Sequence, residues 1–71
     1  MDKRQEGRKR VGALVSQTRN AKGITQAQLA EMTGYTLHNI VAIEQGRYNV
    51  SLDILNNVCD ALGVAIELRD L

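Results

Sequence analysis

The chain contains no proline, no phenylalanine and no tryptophan, and its only ring-bearing apolar side chains are two tyrosines. A core without large aromatics must be assembled from Leu, Ile, Val and Ala. That favours small helices over a β-sandwich. Cys59 is the one cysteine, so neither an intrachain disulfide nor a cysteine-cluster zinc site can form. It lies at helical spacing from Leu55, Val58 and Leu62 and reads as an inert buried thiol. No apolar run approaches the roughly 20 residues of a membrane span. The opening "MDKRQEGRKR" has no apolar stretch and does not read as a signal peptide. A reducing, cytoplasmic setting without membrane contact is expected. The means for catalysis are also sparse. There is one histidine, no carboxylate pair at workable spacing and no glycine-rich phosphate loop. No enzymatic activity, cofactor or metal site is expected.

What remains suits one small domain. The chain has 71 residues, 44% of them apolar, which is ordinary for a globular protein. A core this small is often helped by oligomerisation. The net charge is only +1, but its distribution is uneven. Residues 1–22 carry Lys3, Arg4, Arg8, Lys9, Arg10, Arg19 and Lys22 against Asp2 and Glu6, a net of +5. From Ser51 onward Asp53, Asp60, Glu67 and Asp70 oppose Arg69 alone, a net of −3. One half of the molecule can face a polyanion while the other faces away. A lopsided but merely solvated surface is the competing reading.

Glycine and hydroxyl residues punctuate the chain. Val11, Leu14, Val15 and Thr18 make a helical stripe, and Gly23 follows Lys22 as a helix stop. Thr25 with Gln28 three residues later predicts a capping box. The second helix buries Leu29, Ala30 and Met32 and ends at Gly34. Thr36 caps a third helix, which Gly46 ends. Ser51 caps a fourth, with Asp53 in its first turn to suit the helix dipole. Leu52, Leu55, Val58, Cys59 and Leu62 form its apolar face, and Gly63 stops it. In the tail "VAIELRDL", Val64, Ile66 and Leu68 alternate with Ala65, Glu67 and Arg69. Period two argues for a strand, with a fifth short helix as the rival. The expected organisation is a basic arm over 1–10, a compact all-α four-helix domain over 11–63, and a dimerisation strand over 64–71 carried by Val64, Ile66 and Leu68.

The second and third helices are joined by about three residues around Gly34. That join is too tight for antiparallel packing and suits a steep helix-turn-helix crossing. Ala30 is small where the next helix must approach. Ile40 and Ile43 point back into the angle between the two helices.

With "RNAKGITQAQLAEMTGYTLHNIVAIEQGR" and the later "SLDILNNVCDALGV" in view, the chain resembles the Cro/phage-repressor, or XRE-like, helix-turn-helix family. The resemblance runs from Val11 to Gly63. It implies a lambda-repressor-like fold and sequence-specific binding of double-stranded DNA, with the third helix in the major groove. It also implies an ion pair between Arg19 and Glu44, and a phosphate contact for Gln26 at the start of the second helix. Helix N-termini favour anions in any case. Thr25, Gln26, Thr36 and Asn39 supply donors there, and Arg47, Tyr48 and Asn49 follow in one loop. With Ile40 and Ile43 inward, Leu37, His38, Val41, Ala42 and Gln45 face out. Leu37 and Ala42 suit thymine methyls, His38 a base edge, and Gln45 a phosphate or base. The helix offers little of the bidentate chemistry common in the family, which points to weak or shape-dependent specificity. Tyr35 either packs over the turn or bonds a phosphate. Arg4, Arg8, Lys9 and Arg10 either follow the DNA or form a solvated start.

Two functions fit. The first is a small transcriptional repressor acting as a homodimer on a twofold operator. The second is an antitoxin or adaptor module whose main partner is another protein, such as a toxin.

Overall fold

A computed structural model describes residues 2–71. Four helices follow in order: α1 (Lys3–Ala21), α2 (Gln26–Thr33), α3 (Leu37–Glu44) and α4 (Leu52–Leu62). Each starts on a side-chain cap. The Asp2 carboxylate accepts from Gln5 N–H at 2.9 Å. The Thr25 hydroxyl accepts from Gln28 N–H at 3.0 Å, and the Gln28 side chain accepts from Thr25 N–H at 2.8 Å, completing the expected capping box. Thr36 and Ser51 accept from Asn39 N–H and Ile54 N–H, each at 3.1 Å. Caps of this kind contribute about 1 kcal/mol each, a large fraction of what a short helix needs.

One apolar side chain from each of three helices is fully buried: Leu29 of α2, Ile40 of α3 and Val58 of α4. Val15 of α1, Ala30 and Leu62 complete the cluster. Burying a side chain of this size is worth about 1.5–3 kcal/mol. Val11, Ile24, Tyr35, Leu55 and Val64 cover its edges. The apolar stripes are narrower than the sequence predicts. Met32, Leu14 and Leu52 are exposed, at the outer margins of α2, α1 and α4. Cys59 is half-buried rather than buried. Burial, and after it the Asp60 charge, push its thiol up in pKa.

Helix α1 begins at Lys3, eight residues before the expected domain start at Val11. Residues 3–10 are therefore its first turns. Met1, the first residue of the expected arm, lies outside the described residues. Two features hold this segment helical. Asp2 caps it, and its backbone rests on the end of α3. A Cβ at Gly46 would fall 2.8 Å from Lys9 Cα, and Gly46 itself has φ +73°. No other residue meets both conditions without strain. A turn further on, a Cβ at Gly12 would fall 2.7 Å from the Glu44 carbonyl oxygen and closer still to that of Ile43. Gly12 thus lets the backbones of α1 and α3 touch.

Among the described residues the tail 64–71 forms neither a strand nor the rival fifth helix. Gly63 closes α4 in the left-handed region. Val64 N–H bonds the Cys59 carbonyl, and beyond that the chain has no neighbouring strand to pair with. A strand needs such a neighbour. Val64 is half-buried, while Ile66 and Leu68 are exposed.

Candidate nucleic-acid interface

Helices α2 and α3 are joined by Gly34, Tyr35 and Thr36. Gly34 has φ +79° and donates to the Ala30 carbonyl, closing α2. Only glycine takes that conformation cheaply, and Thr36 then caps α3 at once. The turn is braced from below. Asn57 of α4 donates through Nδ2 to the Tyr35 hydroxyl oxygen at 3.0 Å and to the Thr33 carbonyl at 3.4 Å. Tyr35 packs at the edge of the core, as its first reading expects. Its hydroxyl hydrogen remains available, since the oxygen serves Asn57 as acceptor.

The other side of α3 is fixed by an ionic lock. Arg19 Nε donates to Glu44 Oε2 at 2.6 Å and Nη2 to Oε1 at 2.9 Å. The two side chains are 10% and 5% exposed. Arg19 Nη1 also donates to the Ile24 carbonyl at 2.8 Å. Burial works against the Glu44 charge. Hydrogen bonds from Arg19 and Gln26, together with the guanidinium charge, outweigh it and hold the carboxyl below its ordinary range. The hydrogen bond to Glu44 raises Arg19 correspondingly against its own burial.

This lock places Gln26 differently from the sequence expectation. Its Nε2 donates to Glu44 Oε1 at 3.1 Å and the residue is half-buried. One amide hydrogen is committed to the lock and one is left over. The remaining polar candidates differ in exposure. Thr25, Thr36, Gln45, Arg47 and Asn49 are exposed, while Asn39 and Tyr48 are half-buried. Gln45 Oε1 accepts from Arg47 Nε at 2.6 Å, which turns the Gln45 amide hydrogens outward and holds the guanidinium beside them.

On α3 itself the structure sorts the expected readers. Leu37 is 48% exposed, although a leucine at a helix start gains nothing from water. His38 is exposed and Val41 half-buried. Leu37, Val41 and Gln45 recur every four residues and so share one face, with His38 beside them. Ala42 does not belong to that face. It is 6% exposed, and the chain turns back at this end of α3, with Arg47 N–H bonded to the Ala42 carbonyl at 2.9 Å. The outward set is thus Leu37, His38, Val41 and Gln45.

Sequence reasoning missed Gly12, Asn57 and the Gln26–Glu44 bond. A glycine inside a helical stripe was the available signal for Gly12, since the residue costs about 1 kcal/mol there unless something must come close. Nothing local marks the other two.

The model of the helix-turn-helix domain family matches residues 10–71. An HTH-type transcriptional regulator of Methanothermobacter thermautotrophicus is 42% identical over 50 residues, covering 70% of this chain and 72% of that protein. The immunity repressor of Bacillus phage phi105 is 38% identical over 56 residues, 79% of this chain but only 39% of the repressor. The HTH-type transcriptional regulator y4dJ of Sinorhizobium fredii is 33% identical over 58 residues, 82% of this chain and 75% of that protein. With that match spanning most of its length and including the α2–turn–α3 unit, the chain belongs to the helix-turn-helix domain family.

Proposed function

We propose that this protein is a transcriptional regulator that binds double-stranded DNA sequence-specifically through α3, acting as a homodimeric repressor on a twofold operator. The observation that carries the reading is the solvent-facing strip Leu37, His38, Val41 and Gln45 on a short helix locked against α1 and α2. An exposed apolar residue at a helix N-terminus suits a major groove, where thymine methyls provide apolar contact. The relatives named as regulators and as an immunity repressor support the functional class.

In this reading the N-termini of α2 and α3 approach phosphates. Thr25, Thr36, Asn39, Arg47, Tyr48 and Asn49 position the protein without reading sequence. Gln26 contributes its one spare amide hydrogen. Leu37 packs on a thymine methyl and His38 bonds a base edge. Dimerisation through Val64, Ile66 and Leu68 doubles the few base contacts that one such helix makes. Half-site centres then lie about 34 Å apart.

The test is a binding selection on randomised duplexes, followed by titration of the selected site at several salt concentrations. A selected sequence with two related half-sites, bound more tightly than either half alone and weakened steeply by salt, is the expected result. No enrichment over random duplex would reject the reading.

A further inference from the structure

Helices α1 and α4 meet along an open seam on the side of the molecule where the tail emerges. The apolar half of the seam is walled by Leu14 of α1 and by Leu55 and Cys59 of α4, with the chain's own Val64–Glu67 as a further wall. The other half is walled by Lys3, Arg4 and Arg8, facing Asn49 and Val50, and contains no carboxylate. Val11 and Leu55 line both halves, so the two halves adjoin at these residues. Leu14 is 56% exposed in that wall. Beyond Val64 the tail makes no hydrogen bond among the described residues, and Leu68 is wholly exposed.

We propose that this groove receives the C-terminal segment of a second copy of the chain, with Leu68 in the apolar half and Asp70 against the basic half. The inference rests on the homodimeric reading above and gives it a specific surface. An extended chain places residues two apart on one face, roughly 7 Å from each other. Leu68 and Asp70 are so placed, an apolar group followed by an acidic one. The groove offers the same order, an apolar wall followed by three cations. Pairing opposite charges across an interface fixes its register and disfavours other occupants. The exchange is reciprocal, so each copy gives one segment and receives one. Both halves of the seam are then covered, and the uneven charge of the chain is matched to its partner's.

The test measures dimer dissociation by sedimentation with full-length chains. Leu68→Glu and Leu14→Glu each introduce a charge at an exposed position, so folding is retained, and melting followed by circular dichroism verifies that. Each is expected to weaken the dimer at least tenfold. Asp70→Lys in one chain and Arg4→Glu with Arg8→Glu in another are each expected to do the same. Mixing these two charge-reversed chains restores association, because both exchanged contacts in the mixed dimer again pair opposite charges. A monomeric wild type removes the homodimeric reading and this inference together. A dimeric wild type whose association is untouched by the four variants overturns the groove alone. So does a mixture that fails to restore association, and so does a reversal of Arg4 and Arg8 that lowers only DNA affinity, which assigns the basic half to DNA.

Discussion

Gln26 at the first position of α2 donates to Glu44 at the last position of α3, 3.1 Å from Nε2 to Oε1. One carboxylate thereby holds the guanidinium of α1 and the amide of α2 together. That shared acceptor ties the last residue of α3 to both of these helices.

Gln26→Ala is accordingly expected to act twice. Loss of a hydrogen bond to a charged group costs about 1.5–3 kcal/mol, so the urea midpoint falls. In the proposed phosphate role of this residue, affinity also falls on selected and random duplexes alike. A variant with wild-type stability but weakened binding would show that the bond to Glu44 carries no energy.

Arg19→Ala leaves the Glu44 carboxylate buried without its counter-charge. A cost of about 3 kcal/mol is expected, out of a total that is small for a domain of this size. Denaturant unfolding of the variant measures it. A midpoint within experimental error of wild type would remove the ion pair from the account of stability.

The same carboxylate makes stability depend on acid. Glu44 is held below its ordinary value of 4.5 when folded, so the unfolded chain binds protons more readily. Its contribution is complete above the unfolded value and is lost as pH falls through the folded one. Glu44→Gln is less stable near neutrality but should lose less on going from pH 5 to pH 3. Thermal melts across that range compare the two slopes, and equal slopes would assign the acid sensitivity to other carboxylates.

Gly12→Ala puts a methyl group into the backbone of α3, with carbonyl oxygens rather than flexible side chains in its way. The helices must part, at a cost of about 1–3 kcal/mol or more. Gly7→Ala, where a Cβ meets nothing within 4 Å, is the control and should be neutral or slightly stabilising. Melting temperatures of the two variants should move in opposite directions or, for Gly7→Ala, not at all.

His38→Ala is expected to cost roughly 1–3 kcal/mol on the selected site and to flatten the preference at one base pair per half-site. Leu37→Ala should matter only where a thymine methyl lies beneath it. Selections on randomised half-sites separate the two. An unchanged selected sequence for both variants would move base reading to other residues.

Much of this architecture is local and therefore legible in the sequence. Thr25, Thr36 and Ser51 cap helices because a side-chain oxygen near its own backbone needs no distant partner. Gly34 and Gly63 end helices for an equally local reason. Leu29, Ile40 and Val58 are found by periodicity, since a 3.6-residue repeat defines an inward face before any partner is known. What only the tertiary structure decided involves residues brought together across the chain. The backbone at Lys9 lies so close to residue 46 that only glycine fits there. Gly12 is required because α3 passes over it. Gln26 serves the ion pair because Glu44, distant in sequence, comes to rest beside it. Each of these outcomes depends on where one helix crosses another, and residue spacing along a single helix carries no information about that crossing. The tail is the remaining case. Its alternating pattern predicts a strand, but one chain provides no edge for it to pair with, so its structure rests with whatever covers it.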